Sequence, residues 1–260
     1  MSTDLKALVD CGMPSRRPCK CCGGDAALFG TVDFNKSCEE RRGLLLPSLG
    51  IPIAYHRCLR CEFLFTAAMD RFSRQDFLDH IYNSEYVRVD PDYVEHRPLD
   101  TAKGFAAAFP ARRDISVLDY GGGNGRCAQA LRSAGFADVT TYDPFVPQFA
   151  DRPDRQFDCI LCTEVLEHSD RPAETLNDIV GLLRPEGLVL FSTLLQPADI
   201  TGQGVKWWYL APRNGHISLF TSATLNAVLT PLAFHCRSLS SNIHLAWSHV
   251  PAFARHLIKQ

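Results

Sequence analysis

Four cysteines have the spacing of metal ligands. They form two CxxC pairs, Cys19 with Cys22 and Cys58 with Cys61, separated by 35 residues. Two residues between thiolates let one tight turn direct both sulfurs at one ion, and two such turns complete the tetrahedral site of a structural zinc. The spacing therefore predicts a zinc site. Cys21 is an alternative ligand, and reduced turns without metal or a redox pair are alternative interpretations.

A second candidate site is a glycine loop. Gly121, Gly123 and Gly125 follow the mainly apolar stretch Val117–Tyr120, which contains Asp119. Glycines expose backbone amides, and at a helix N-terminus these amides favour an anionic group such as a phosphate or a carboxylate. Asp119 would repel a pyrophosphate but attract an ammonium, so the loop favours an amino-acid-like cofactor. A tight turn that binds no ligand is the alternative.

Asp143 is positioned to bind a ribose. It follows the next predicted strand, 18 positions beyond Gly125, where a carboxylate can accept hydrogen bonds from both ribose hydroxyls. This spacing supports an adenosine-containing ligand.

Four side chains are candidates for the chemistry. Glu164, Glu167 and His168 follow a predicted strand, and His216 ends the stretch Trp207–His216. For Glu167 a solvated role or backbone capping is the alternative. A histidine pKa of about 6.5 suits proton removal near neutral pH, and we favour His216 over His168. The alternatives are that His168 braces its loop and that His216 hydrogen-bonds the cofactor loop. The aromatic residues 207–209 are predicted to form a lid or a wall of the acceptor site. Core packing is the alternative.

Alternating strands and helices must position these residues. After Pro110 the pattern predicts a mainly parallel sheet, with a C-terminal antiparallel hairpin at one edge. We expect a cysteine-rich module over residues 1–70, a helical connector over 71–109 that Pro91 and Pro98 interrupt, and a cofactor-binding domain over 110–260. The connector's second helix is predicted from Leu99 to Phe109. The predicted strands are Ile115–Tyr120, Asp138–Tyr142, Phe157–Cys162, Gly187–Thr193, Phe234–Leu239 and Ile243–Trp247.

Composition narrows the functional classes. The chain has 260 residues, 46% of them hydrophobic, and a net charge of −2, which argues against a broad surface for nucleic acid. We find no apolar run of transmembrane length and no signal-peptide pattern, so we expect no membrane partner and a cytoplasmic location. Eleven cysteines without an export signal fit metal ligands and buried thiols better than disulfides. We make no prediction of the oligomeric state.

Two segments carry a family resemblance. Phe157–His168 and Leu183–Leu190 strongly resemble the fourth and fifth strand region of class I S-adenosylmethionine-dependent methyltransferases, particularly the ubiquinone-type O-methyltransferases. The paired CxxC turns and Ile81–Tyr86 also resemble zinc-containing sugar C-methyltransferases. The resemblance implies an α/β fold with a seven-stranded, mostly parallel, Rossmann-like sheet, preceded by a small zinc-binding module.

The resemblance also implies roles for individual residues. Asp119, Gly121 and Gly123 would lie against the cofactor's methionine part, and Asp143 would bind its ribose. Cys162 and Thr163 would lie beside it. Arg97 would meet the cofactor's carboxylate, with a surface ion pair as the alternative. Only 13 residues separate Asp143 from Phe157, where the family has a helix, a strand and an acid that contacts adenine, so we expect that helix to be missing. Asp151 is a candidate substitute for the adenine contact, with a solvated loop carboxylate as the alternative. The residues implied for cofactor binding are Asp119, Gly121, Gly123, Asn124, Asp143, Pro144, Cys162, Thr163, Arg97 and Tyr86.

These observations predict methyl transfer from S-adenosylmethionine to a small-molecule oxygen or carbon acceptor, such as a sugar or a polyketide-like metabolite. The zinc module is expected to help build the acceptor site. An RNA or protein methyltransferase that uses the zinc module for recognition is one alternative. A non-catalytic binding module that retains the fold is another.

Overall fold

The computed structural model describes residues 4–258, and the chain forms two compact units. The first unit contains the chain up to Pro91 together with Leu166–Ala173 and Leu194–Ala227. The second contains Asp92–Val165, Glu174–Thr193 and the chain from Val228 onward. Each unit is therefore assembled from segments that lie far apart in the sequence.

The bounds of the regular elements follow in chain order. The strands are β1 (Arg16–Pro18), β2 (Asp25–Asp33), β3 (Pro52–Cys58), β4 (Leu64–Thr66), β5 (Val117–Tyr120), β6 (Val139–Tyr142), β7 (Phe157–Thr163), β8 (Leu183–Ser192), β9 (Ser218–Leu219), β10 (His235–Ser238) and β11 (Ile243–Trp247). The α-helices are α1 (Leu5–Leu8), α2 (Arg74–His80), α3 (Tyr86–Val89), α4 (His96–Ala108), α5 (Arg126–Ser133), α6 (Pro172–Gly181), α7 (Ile200–Gln203), α8 (Ser222–Leu229) and α9 (Arg255–Ile258). In this described part of the chain no helix combines the length and apolarity that a bilayer crossing requires.

The first unit is organised around an antiparallel sheet. Its strand order is β1-β2-β3-β4-β9, and every neighbouring pair is antiparallel. Aromatic side chains pack beside it: the rings of Phe63 and Phe65 stack with centroids 5.3 Å apart, and Phe63 also packs on Phe220 at 5.2 Å. The hairpins β1–β2 and β3–β4 place both CxxC turns at one end of the sheet, because Ala26 pairs with Cys58.

The second unit contains the mainly parallel sheet. Its strand order is β10-β11-β8-β7-β5-β6, with parallel pairing from β8 to β6 and antiparallel pairing of β8 with β11 and of β11 with β10. The predicted edge hairpin is confirmed. All four residues of β5 are buried, as expected for a strand with both faces covered. Helices α4 and α5 belong to this unit, and Phe105 packs on Phe136 with ring centroids 5.2 Å apart.

The prediction of seven strands is not met, because this sheet has six in the described residues. Between β6 and β7 the chain forms only the short 3-10 helix Pro147–Phe149. A parallel crossover needs about a dozen residues. The 13 residues after Asp143 are therefore enough for one crossover but not for an extra strand and a second crossover. As expected, this described segment contains no α-helix.

Two element boundaries also differ from the predictions. Strand β8 begins at Leu183 rather than Gly187, because Leu183 pairs with Phe157 on the far side of a register shift. Helix α4 begins at His96 and includes Pro98, which was predicted to interrupt the helix. Proline is tolerated in a first turn, where its missing N–H would have no intrahelical partner.

Candidate functional sites

The glycine loop, residues 121–125, connects β5 to α5 in the second unit. Gly121, Gly123 and Gly125 have φ angles of 70°, 54° and 75°, a left-handed region that favours glycine. A Cβ on Gly121 would lie 2.4 Å from Cγ2 of Val165, whereas a Cβ on Gly123 would meet no atom of the described residues within 4 Å. The loop is therefore closely packed at Gly121 and open at Gly123, where a ligand can approach the backbone.

Asp119 precedes this loop at the end of β5. Its side chain is buried, and Oδ2 has no hydrogen-bond partner within residues 4–258. Burial raises the pKa of this carboxyl from its ordinary 3.8 to about 7, because desolvation disfavours the charged form. An unpartnered buried carboxylate oxygen fits a cationic group such as the ammonium of an amino-acid-like cofactor.

Asp143 connects the end of β6 to the glycine loop. Its Oδ2 accepts a hydrogen bond from the N–H of Gly123 at 2.8 Å, and Oδ1 accepts one from the N–H of Phe145 at 2.8 Å. A carboxylate oxygen can accept more than one hydrogen bond, so these two contacts are compatible with a ribose contact. Asp143 thus fixes the loop and fits the predicted ribose contact.

The remaining predicted cofactor residues of this unit lie around these elements. Asn124 is exposed; its amide donates to the main-chain oxygen of Val94, and its Oδ1 accepts from the N–H of Arg126. Pro144 is exposed directly after Asp143. Arg97 lies in the first turn of α4. Cys162 is fully buried near the end of β7, and Thr163 is its last residue.

Glu164 follows β7 and is held against the neighbouring strand. Its φ angle is 53°, its N–H donates to the main-chain oxygen of Ser192 at 3.2 Å, and its Oε1 accepts from the Ser192 hydroxyl at 2.8 Å. A positive φ at a non-glycine residue is costly and is common at functional sites. These contacts fix Glu164 at the carboxyl end of the parallel strands.

The four predicted cysteine ligands converge in the first unit. Their sulfurs all lie within 4.8 Å of one another, and the Sγ atoms of Cys19 and Cys61, and of Cys22 and Cys58, are 3.6 Å apart. A tetrahedral site with Zn–S bonds of about 2.3 Å has sulfur–sulfur edges of about 3.8 Å. The donor set therefore fits a structural zinc ion.

The two turns present the sulfurs in the same manner. The N–H of Cys21 donates to Sγ of Cys19, and the N–H groups of Arg60 and Cys61 donate to Sγ of Cys58, at 3.3–3.4 Å. Hydrogen bonds of this kind stabilise thiolates. Cys21 is not in the group of four, and burial raises the pKa of its thiol. The structure thus separates Cys21 from the converging sulfurs.

A second polar cluster lies elsewhere in the first unit. Glu167, His168 and His216 each have one potential ligand atom within 4.8 Å of the other two, and the two imidazole rings meet edge to face with centroids 5.0 Å apart. The hydroxyl of Tyr209 donates to Oε1 of Glu167. Nδ1 of His216 lies 2.9 Å from the main-chain oxygen of Tyr209. We name Glu167, His168, Tyr209 and His216 the histidine cluster.

The histidine loop, residues 211–216, is buried throughout and is anchored by distant side chains. The Tyr55 hydroxyl donates to the main-chain oxygen of His216 at 2.6 Å, and the Tyr86 hydroxyl donates to that of Asn214 at 3.2 Å. The Asn214 amide accepts from the N–H of Cys38 and donates to the oxygen of Val89, both at 2.8 Å. The hydroxyl of Tyr86, a predicted cofactor contact, therefore fixes this loop.

The aromatic stretch before the loop divides into buried and accessible parts. Trp207 and Tyr209 are each only 3% exposed, and Lys36 donates to the main-chain oxygens of Trp207 and Leu210. Trp208 is half-buried, with the Arg41 guanidinium 3.8 Å from its ring centroid. Core packing thus applies to two of the three aromatic residues.

Sequence reasoning named Glu167 among the candidate side chains but set a solvated or capping role against it, and it gave Tyr209 only a place in an acceptor wall, a lid or the core. Glu167 lies three residues beyond Glu164 and resembles a solvated helical carboxylate in the sequence, but none of its surface is exposed. Tyr209 is one residue of an aromatic run. Burial and the contact between the two residues, 42 positions apart, depend on tertiary structure and leave no local signal.

Comparison with known proteins gives the family. The model of a methyltransferase domain family matches residues 93–238, more than half of the chain. The chain belongs to this methyltransferase domain family. The match includes the glycine loop, Asp143 and His216, whereas the four converging cysteines precede it.

Curated relatives agree with this membership. A ubiquinone biosynthesis O-methyltransferase of Alkalilimnicola ehrlichii is 30% identical over 102 residues, covering 30% of this chain and 41% of the relative. A malonyl-[acyl-carrier protein] O-methyltransferase of Enterobacter lignolyticus is 26% identical over 156 residues, covering 52% of this chain and 61% of the relative. The chain thus spans about half the length of these relatives.

The structure of an O-methyltransferase family protein from Burkholderia thailandensis superposes with a TM-score of 0.51 at 14% identity. It covers 70% of this chain and 64% of that protein. At this level of identity the likeness shows the fold.

Proposed function

We propose that the chain transfers a methyl group from S-adenosylmethionine to an oxygen or carbon atom of a small-molecule acceptor, such as a sugar or a polyketide-like metabolite. The observation that carries this proposal is the second unit's combination of an open glycine loop with two carboxylates: Asp119, whose Oδ2 has no hydrogen-bond partner within the described residues, and the loop-fixing Asp143. Family membership and the O-methyltransferase relatives support it.

The chain's own residues would bind and orient the reactants. When bound, the cofactor supplies a methyl group already activated on a sulfonium, so the protein mainly holds donor and acceptor in line and removes a proton. Asp119 and the glycine loop would bind the methionine part, and Asp143 the ribose. Arg97 is our proposed partner for the cofactor's carboxylate. His216 is the proposed base, with His168 and Glu164 as further catalytic candidates.

We also propose that Cys19, Cys22, Cys58 and Cys61 hold a structural zinc. The 3.6 Å sulfur separations and the N–H donors to sulfur support this assignment. Zinc would stabilise the first unit, which contains the histidine loop, and so would contribute to acceptor binding rather than to cofactor binding.

Isothermal titration with S-adenosylmethionine and S-adenosylhomocysteine tests the cofactor assignment. We expect micromolar binding that Asp143→Ala abolishes, because the variant loses both the ribose acceptors and the anchor of the loop. Asp154→Ala, an exposed carboxylate in the same unit, is the matched control and should bind as the wild type does. An absence of binding by well-folded, zinc-loaded protein would reject the proposed function.

A further inference from the structure

Glu167 is a buried acid in the centre of the histidine cluster. It is 0% exposed, and its carboxylate lies within 4.8 Å of a ring nitrogen of both His168 and His216. Burying an ionised carboxylate is costly unless hydrogen bonds and an opposite charge compensate. A position that served packing alone would be filled at lower cost by an apolar side chain, so the carboxylate indicates a role in the chemistry.

Tyr209 sets the state of the groups on both sides of it. Its hydroxyl donates to Oε1 of Glu167, and its main-chain oxygen lies 2.9 Å from Nδ1 of His216. A carbonyl oxygen can only accept, so Nδ1 carries the hydrogen and the neutral ring has its lone pair on Nε2. One residue therefore stabilises the carboxylate and selects the imidazole tautomer that leaves Nε2 basic.

The main chain holds the carboxylate and the imidazole in register. The N–H of Ile217, directly after His216, donates to the main-chain oxygen of Glu167 at 2.8 Å. The Tyr55 hydroxyl donates to the main-chain oxygen of His216 at 2.6 Å. The backbone of each residue is thus anchored, and the separation of their side chains is fixed by the fold.

We propose that Glu167 is a positioning residue for His216, whose buried negative charge stabilises the imidazolium that forms when Nε2 takes a proton from the acceptor. The proposal rests on the proposed function for the origin of that proton. The proton leaves the acceptor's O–H or C–H bond and joins Nε2, and the freed electron pair forms the bond to the methyl carbon. The electron pair of the broken carbon–sulfur bond stays on sulfur.

Two cations of the first unit lie near the cluster and its loop. Lys36 and the Arg213 guanidinium donate to main-chain oxygens and to Asn83, and burial lowers the pKa of both cations. Cys38 Sγ lies 3.6 Å from Nδ1 of His216. Other titratable groups near the cluster or its loop include the hydroxyls of Tyr55, Tyr82 and Tyr86, and burial raises the pKa of Tyr55. Glu85 and Arg88 act electrostatically on Arg213, and Glu40 acts on Lys36.

Nuclear magnetic resonance of the imidazole nitrogens tests this proposal without an identified acceptor. The zinc-loaded full chain is labelled with ¹⁵N-histidine, and the His216 signals are assigned with His216→Gln. We expect the Nδ1–H tautomer in the wild type, and a His216 pKa about one to three units lower in Glu167→Gln. Glutamine retains an acceptor for the Tyr209 hydroxyl and removes only the charge.

Two further variants complete the test. Glu39→Gln, at a buried glutamate of the same unit that pairs with Arg42, should leave the His216 pKa unchanged. Tyr209→Phe keeps the main-chain carbonyl and loses the hydroxyl, so His216 should keep its Nδ1–H tautomer while its pKa changes. If Glu167→Gln does not fold, Tyr209→Phe provides the test in its place.

An Nε2–H tautomer, or a His216 pKa that neither variant moves, would overturn the proposal. So would a second bound metal ion in the wild type that Glu167→Gln removes, because Glu167 would then be a metal ligand. Calorimetry with S-adenosylmethionine separates the two proposals. A failure of cofactor binding with the expected tautomer and pKa shift would reject the proposed function and leave the positioning role intact.

Discussion

The glycine loop and the histidine loop are held in place in opposite ways. The glycine loop is formed by chain neighbours and one carboxylate, since β5 leads directly into it, α5 follows it and Asp143 lies 20 positions away. The histidine loop is anchored by Cys38, Tyr55 and Tyr86, which lie 128 to 178 positions from the residues they contact. A cofactor loop can thus be specified locally, whereas the proposed base depends on the whole first unit.

Removal of a proposed cysteine ligand should produce the largest difference between the two loops, because it should disrupt the histidine loop and spare the glycine loop. We expect Cys58→Ser to lose bound zinc and to unfold the first unit, because metal binding contributes on the order of 10 kcal/mol in small zinc sites. The second unit should still bind cofactor. Metal analysis, thermal unfolding and calorimetry measure these effects. Cys236→Ser, in the second unit, is the control, and equal loss of cofactor and acceptor use in a well-folded Cys58→Ser protein would contradict the comparison.

The pH dependence of stability should report on the glycine loop's unit. The folded pKa of Asp119, about 7, is above its ordinary 3.8, so the folded state holds a proton that the unfolded state releases. Stability should therefore fall as pH rises from about 4 to 7 and level off above 7, a total of about 4 kcal/mol. Urea unfolding at several pH values should show a flatter profile for Asp119→Asn; parallel profiles would show that Asp119 is ionised when folded.

A methyl group added to the glycine loop should impair it locally. In Gly121→Ala the new Cβ would lie 2.4 Å from Cγ2 of Val165 at a φ of 70°. We expect a loss of about 3 kcal/mol of stability and of detectable cofactor binding. Gly181→Ala, at the end of α6 with no atom within 4 Å of the new Cβ, should be neutral or slightly stabilising. Normal cofactor affinity in Gly121→Ala would show that the loop tolerates side chains.

Truncation of an anchor should weaken the histidine loop alone. Asn214→Ala removes two hydrogen bonds and leaves the Cys38 N–H and the Val89 oxygen buried without partners, which costs about 2 kcal/mol. Thermal unfolding should show this loss while calorimetry shows an unchanged cofactor affinity. Reduced cofactor affinity in the folded variant would mean that the two loops are not independent.

Sequence patterns predicted the local features well. Strands β5, β6 and β7 lie within two residues of their predicted bounds, because short apolar runs and the turn residues that bound them are local features of the sequence. The CxxC spacing predicted two turns whose sulfurs converge. The antiparallel sheet of the first unit was not predicted, since its pairing of β4 with β9 joins residues more than 150 positions apart.

The amino-acid sequence by itself determined the cysteine turns, the glycine loop and the acid that follows β6, because each depends on spacing within a few residues or on one strand–helix–strand unit. Only the tertiary structure decided that the parallel sheet stops at six strands, that Cys21 is outside the sulfur cluster, and that Glu167 is buried beside His168 and His216. Burial and long-range hydrogen bonds are properties of the packed chain, and the desolvation that gives such groups their chemistry exists only after folding.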